Sequence, residues 1–413
     1  MSSSSLRRAI IICALGYFID VFDIQLFAVL RVSSLTDLGV AADRLAAIGG
    51  YILNVQMLGM IMGAFLWGWL GDRFGRLKAL YGSILIYSLG TLTCSFVSDP
   101  ISYGLLRFIT GFGLAGETGA AITLVAEMMS REKRGWGITI IAGFGFLGPV
   151  FAVLTALFLP WRQVYIFAGI LGLLLLILRI RLTEPAMFLK IIESKKQRIS
   201  LKLLAQPRQA FTLLCCILTG LPMIYGWSLL NFFSMEFSSA VLKPGEVFNQ
   251  KICLMLFFLG TSCGDMLSGA ISQFWRSRRK TMLAFLVFGL LLSMSYLLIA
   301  PRVRLAAEAL YGIYFLIGLA AGAWILFATM AAEHFGTNVR ATTSIATNNL
   351  VRGFTIPMIF AFHRLREVMS ITDAAALIGV VLYAVGFLAL SCLRETHGVD
   401  LDYVEKFPRM TNT

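Results

Sequence analysis

Twelve apolar stretches, separated by short polar turns, run the length of this 413-residue chain. A helix that crosses the hydrocarbon of a bilayer needs roughly 20 apolar residues, so twelve would occupy about 240. That leaves short loops and no room for a separate soluble domain. The stretches lie near residues 9–30, 47–70, 78–97, 101–129, 136–159 and 163–180, then 210–235, 249–274, 281–300, 309–332, 341–362 and 373–393. Lipid offers the backbone no hydrogen-bond partner, so each stretch is predicted to be a helix of an all-α membrane protein. Composition agrees: 58% of residues are apolar and 14% charged, against about 25% charged in soluble domains. Disordered, collagen-like and disulfide-scaffold chains are excluded.

Most of the 35 Lys and Arg fall on one side of this arrangement if the N-terminus is inside, as in Arg73-Phe74-Gly75-Arg76-Leu77-Lys78, Lys195-Lys196 and Arg278-Arg279-Lys280. Basic loops stay on the cytoplasmic face, so both termini are expected there, in a bacterial inner membrane. On this reading Arg31 belongs to an outer loop, Arg179 to an inner end, and only Arg107 and Arg352 lie within spans. The net charge of +13 is thereby assigned to topology and anionic lipid headgroups, not to nucleic acid. The N-terminal apolar run has no small-residue cleavage site and reads as an uncleaved first span. Seven Cys lie mostly inside apolar segments without metal spacing, so no metal or cofactor is expected.

The longest polar stretch, near 183–209, separates six spans from six. The expected organisation is an N-terminal bundle (1–182), a cytoplasmic linker (183–209), a C-terminal bundle (210–393) and a cytoplasmic tail (394–413). The halves resemble each other: Ala126-Glu127 with Arg134 recurs as Ala332-Glu333 with Arg340 at the same spacing. Such repeats are the mark of carriers whose site lies between two halves at mid-membrane.

The sharpest motif is Gly68-Trp69-Leu70-Gly71-Asp72-Arg73-Phe74-Gly75-Arg76-Leu77-Lys78. A turn this tight needs Gly, Asp72 suits a helix N-terminus, and Arg76 suits a nearby carboxylate. The motif resembles the signature loop of the major facilitator superfamily. A degraded second copy runs from Gly269 through Gln273 to Arg276 and Lys280. Arg107-Phe108-Ile109-Thr110-Gly111-Phe112-Gly113 resembles the superfamily's span-four motif, and Gly116-Glu117 its continuation in metabolite:proton symporters. Glu127 with Arg134-Gly135, Glu184-Pro185 and Glu395-Thr396-His397-Gly398 resemble signatures of the sugar-porter-like branch. Span seven lacks the Gln-rich pattern of sugar porters, and span five lacks the full Gly-Pro motif of drug antiporters. The resemblance implies twelve helices in two pseudo-symmetric six-helix bundles that rock about a central site. It implies a cytoplasmic gate of Gly68, Asp72, Arg73, Gly75, Arg76, Glu127, Arg134, Glu333 and Arg340.

Ionisable residues inside spans are costly and functional by default. Asp20 and Asp23 share a face of helix one, and Asp20-Val21-Phe22-Asp23 resembles the paired-Asp motif of aromatic-acid:proton symporters, with Val21 in place of Gly. Asp23 and Arg107 lie at matching depths at 1.5 Å per residue and are placed to pair. A carboxylate whose contact with an Arg changes as the halves rock couples protonation to access. The candidates, in order, are Asp23, Asp20 and Glu117. Arg352, beside Asn348, suits a substrate carboxylate bidentately; the competing reading pairs it with Asp265. Tyr17, Gln25, Tyr225, Trp227, Asn231 and Trp324 are further candidates for the cavity lining, with Arg107. The leading expectation is a carrier, not an enzyme, importing a small anionic or zwitterionic metabolite with protons. Organic acids lead, with a larger polycarboxylate such as a metal chelator satisfying the same charges. Proton antiport exporting a metabolite, siderophore or drug stands second, a membrane sensor third. The partners are a small molecule, protons and lipid, and the chain is expected to be monomeric.

Overall fold

The computed structural model describes residues 3–117, 140–141, 143–179, 206–336 and 339–399, with side chains omitted at 3–10, 72, 76 and 341. Helices make up nearly all of it. In the first half these are α1 (Ser3–Asp37), α2 (Leu45–Phe74), α3 (Arg76–Thr93), α4 (Pro100–Leu114), α5 (Leu147–Phe158) and α6 (Trp161–Arg179). In the second, α7 is a composite of Pro207–Thr219, Leu221–Ile224, a π-helical turn Tyr225–Asn231 and Ser234–Val241. It is followed by α8 (Gln250–Phe274) and α9 (Arg278–Val303). α10 comprises Ala307–Ala321 and Trp324–Glu333, α11 comprises Arg340–Gly353 and Thr355–Leu365, and α12 is Ile371–Cys392.

Among the described residues, nine helices are both long and apolar enough to cross a membrane. The other three depart for identifiable reasons. α4 and α5 border undescribed residues, and the first segment of α11 is polar. That segment carries Thr343, Ser344, Thr347, Asn348, Asn349 and Arg352, all buried against other helices and not lipid. α1 runs well past the expected boundary near residue 30, ending at Asp37.

The two halves repeat one packing plan. α2 lies on α4, α3 on α4 and α6, and α1 on α6; correspondingly α8 lies on α10, α9 on α10 and α12, and α7 on α12. The halves meet through α2 with α11 and α5 with α8. Hydrocarbon gives no hydrophobic drive between helices, so close approach depends on small residues. At Gly260 and Gly264 of α8 an added Cβ would stand 2.0 and 2.2 Å from the carbonyls of Phe315 and Leu319 on α10. At Gly59 and Gly63 of α2 it would stand 2.2 Å from those of Phe108 and Phe112 on α4.

The signature turn is shorter than most helix connections. Gly75 alone joins α2 to α3, at φ +109°, which an L side chain rarely adopts. Arg276, at φ +50°, turns the chain at the matching joint between α8 and α9.

Candidate functional site

Along α1 the buried acids face different partners. Asp23 accepts a hydrogen bond from Thr91 Oγ1 of α3 at 2.5 Å and pairs with Arg107 Nη1 of α4 at 3.4 Å. Arg107 also donates to the Asp23 carbonyl at 3.2 Å and to Gln56 Oε1 at 3.2 Å, and stands 5.9 Å from the centre of the Tyr165 ring. All of these side chains are buried, so the geometry of the pair is fixed by charge-assisted hydrogen bonds to neutral neighbours. Gln56 was not expected here; an amide inside an apolar span was the available signal. Gln25 is half-buried and forms no hydrogen bond with a described residue.

Glu117 forms a buried ion pair with Arg179 at the end of α6, with Nη1 2.7 Å from Oε2. α1 crosses directly above it, since a Cβ at Gly16 would meet the Arg179 guanidinium. Arg179 is therefore a bundle residue and not a loop residue as its position in the sequence suggested. The same correction applies to Arg31. It is buried on α1 and bound to Glu236 of α7 at 3.0 and 3.1 Å, with its guanidinium 4.6 Å from the centre of the Phe232 ring.

Where the halves meet, aromatic rings form a chain. Tyr17 of α1 packs edge-on against Phe146 at 6.0 Å, Phe146 against Trp227 at 5.1 Å, and Trp227 stacks on Trp324 at 4.9 Å. Arg352 of α11 places its guanidinium 5.2 Å from the centre of the Trp324 ring. Asp20 and Tyr17, buried on α1, and Arg352, buried on α11, lie on opposite halves of the chain.

Two backbone breaks position these rings. The π turn lies just after Pro222 and carries Trp227, Ser228 and Asn231; π turns are frequent at functional sites. α10 breaks at Gly322 and Ala323, and its second segment starts at Trp324. Asp265 of α8 caps that start, accepting from Ile325 N–H at 2.9 Å. A Cβ at Gly322 would stand 2.4 Å from the Thr261 carbonyl, so only Gly lets the segments approach α8 there. Asp265 thus serves as a helix cap, where the sequence had suggested an Arg352 partner.

Several polar atoms around these rings are buried and lack a hydrogen-bond partner among the described residues: Tyr17 OH, both indole Nε1 of Trp227 and Trp324, Asn231 Oδ1 and Asn348 Oδ1. An unmet buried polar group costs about 1–3 kcal/mol, so a cluster of them signals partners that a ligand would bring. Asn348 Nδ2 is turned back to the Ser344 carbonyl at 2.8 Å, while Asn349 Nδ2 reaches the carbonyl of Ala115, the residue that follows α4, at 3.0 Å. Tyr225 does not join the group. Its hydroxyl donates to the Ala375 carbonyl of α12 at 2.9 Å.

At the end of the bundle that bears the N-terminus, Glu127 and Arg134 lie outside the described residues, as do the side chains of Asp72 and Arg76. Arg73 stands 5.1 Å from the centre of the Trp69 ring and 5.3 Å from that of Phe74. Gly68 faces Thr342 of α11, its added Cβ 3.5 Å from the Thr342 Cα. Glu333 pairs with Arg278 at 3.4 Å, and Arg340 donates to the Ala332 and Phe335 carbonyls at 3.3 Å. Glu395, beyond α12, accepts from Ser277 and from the N–H groups of Arg278 and Arg279 at the start of α9.

A family model described as Major Facilitator Superfamily matches residues 13–361. Among curated proteins, the chain is 24% identical over 406 residues to a probable 4-methylmuconolactone transporter of Cupriavidus pinatubonensis, covering 95% of this chain and 91% of that protein. It is 26% identical to the 3-(3-hydroxy-phenyl)propionate transporter of Escherichia coli strain K12, covering 84% and 85%. Its fold superposes on the proton:xylose symporter XylE with a TM-score of 0.73 at 14% identity, covering 97% of this chain and 98% of that one. The twelve helices, their duplicated packing and the interface site accord with these matches: the chain is an integral, multi-pass membrane protein and belongs to the major facilitator superfamily.

Proposed function

We propose that this protein imports a small organic acid with a planar ring across the bacterial cytoplasmic membrane, by proton symport. The observation that carries the reading is the juxtaposition of Arg352 with the stacked Trp324 and Trp227, whose indole N–H groups lack partners among the described residues. A carboxylate on Arg352 gains two parallel charge-assisted hydrogen bonds. A flat ring beside it packs on indole faces, and ring oxygens accept from the indole N–H groups and Tyr17. The relatives' names, a muconolactone and a hydroxyphenylpropionate carrier, agree with a ring-bearing acid.

Coupling follows from electrostatics. Asp20 and an incoming carboxylate compete for Arg352, and a proton on Asp20 releases the guanidinium to the substrate. Asp23, held by Thr91 and by an Arg107 that Gln56 in turn orients, is a second coupling acid. Glu117 with Arg179 is the third. Residues 1–182 and 210–393 rock as two bundles, both termini in the cytoplasm. Gly68, Asp72, Arg73, Gly75, Arg76, Glu127, Arg134, Glu333 and Arg340 form the gate on that side. The carrier acts as a monomer.

The test uses purified protein in liposomes holding a pH-sensitive dye, with benzoate-type acids, dicarboxylates, amino acids and sugars added outside in turn. Interior acidification with a ring-bearing acid, absent from empty liposomes and from Asp20→Asn liposomes, is the expected result. Alkalinisation of an acid-loaded interior would replace symport by antiport. Counterflow of labelled sugar but of no acid would overturn the substrate class.

A further inference from the structure

A polar cavity lies away from the interface, at the end of the bundle that bears the N-terminus. It has a volume of about 450 Å³ and is lined by the start of α7, the end of α10 and the end of α12. Arg208, Gln209, Thr212, His334 and Arg394 give it its polar character, and no carboxylate is among the described residues lining it. α7 opens with Pro207 and no side-chain cap, so the positive end of its dipole adds to the two guanidiniums.

His334 is the informative residue. It is 5% exposed, and its Nδ1 lies 2.7 Å from the Met330 carbonyl one turn back. A carbonyl only accepts, so Nδ1 carries the hydrogen, and Nε2 on the opposite ring edge turns away from the helix backbone. Nε2 has no hydrogen-bond partner among the described residues. The charged groups facing the ring are Arg394, Glu333 and Glu395. Glu333 is paired with Arg278, Glu395 accepts from the start of α9, and neither carboxylate lines the cavity. Burial, with Arg394 beside it, holds the His334 imidazole below its ordinary value.

We propose that this cavity binds a phosphate-bearing anion between Arg208 and Arg394, and that His334 takes up a proton at Nε2 as the anion enters. The imidazolium then donates to the anion through Nε2 and to Met330 through Nδ1. Two sources share the chemistry, an anionic lipid headgroup at the membrane interface and a soluble phosphate.

The chain has three histidines, so nitrogen-15 histidine spectra of the full-length protein resolve His334 by its loss in His334→Gln. The protein is titrated in neutral detergent with short-chain phosphatidylglycerol, and separately with inorganic phosphate, each over a range of pH. The expected result is saturable protonation of His334, its midpoint raised by about one pH unit. Affinity should fall about tenfold or more in Arg208→Gln/Arg394→Gln. Response to both probes means a soluble-anion site, and response to the lipid alone a headgroup site; either upholds anion binding. A His334 spectrum unchanged by either probe in the folded wild-type protein overturns it, as does an undiminished affinity in the double variant. Neither outcome bears on transport through the central site.

Discussion

Glu236 binds the Arg31 guanidinium through both oxygens, at 3.0 and 3.1 Å, and in doing so ties α7 to α1 across the two halves. Lys251 adds a second tie at the same end, donating to the Ala156 carbonyl of α5 at 2.6 Å. An arginine this deeply buried is paired here across the interface between the two halves. Removing one member of a buried pair costs about 3–5 kcal/mol; Glu236 keeps some solvent contact, so about 2–3 kcal/mol is expected. Arg31→Ala should therefore lower the thermal midpoint in detergent. The double reversal Arg31→Glu/Glu236→Arg should recover much of the loss. If the reversal is no better than either single change, the pairing is not what matters.

Asp23→Asn tests the acid held by Arg107. The amide keeps the hydrogen bond from Thr91 but not the charge, so the variant should fold and still exchange labelled substrate across the membrane. Accumulation driven by a proton gradient should disappear. One pH unit is worth about 1.4 kcal/mol per proton, a tenfold accumulation at equilibrium. Measuring steady-state uptake with and without the gradient separates the two activities. Retained tenfold accumulation would remove Asp23 from the coupling path and leave Asp20 in it.

At the interface, substitutions that keep one property and remove another discriminate between stacking and hydrogen bonding. Arg352→Lys retains a cation but loses the planar fork, and should weaken binding of a ring-bearing carboxylate by about 10- to 100-fold. Trp324→Phe retains a ring and loses the N–H; about 3- to 10-fold weaker binding is expected, a single neutral hydrogen bond. Equilibrium binding to purified protein gives both values. Equal loss for an acid lacking ring oxygens would assign the Trp324 effect to packing alone.

How far the sequence reveals this arrangement depends on the range of the interaction. The spans are legible because hydropathy is local, and the Asp23–Arg107 pair because rise per residue fixes depth on both helices. Arg31 and Arg179 are not legible. A charged residue near a span end looks like a loop residue until Glu236 or Glu117 is brought to it from more than 60 positions away. The role of Asp265 depends on the break at Gly322, where the chain gives up a helical turn and a distant carboxylate caps the new start. Arg352 is the converse case: its position inside a span marks it in the sequence, while its place beside Trp324 depends on how α10 and α11 pack.

Glu395 gives a prediction in pH. Burial pushes its carboxyl upward, but Ser277 and the backbone N–H groups of His397, Arg278 and Arg279 donate to it and outweigh burial, bringing it to about 2 from an ordinary value of 4.5. A carboxylate lowered in the folded state contributes stability that is full above its unfolded value and is lost as pH falls toward the folded one. The window is therefore from about pH 4.5 down to about pH 2. A shift of this size corresponds to about 3 kcal/mol at most; the side chain is open to solvent, and screening reduces this to about 1–2 kcal/mol. Glu395→Gln should lower the thermal midpoint at pH 7 and flatten its decline across that window, since the amide cannot gain or lose the proton. The cap holds the start of α9 against the end of α12, so the effect belongs to the second bundle alone. Tryptophan fluorescence of Trp275, with the other six tryptophans replaced by Phe, reports on it locally. An unchanged pH profile in the variant would mean that the acid-sensitive group lies elsewhere.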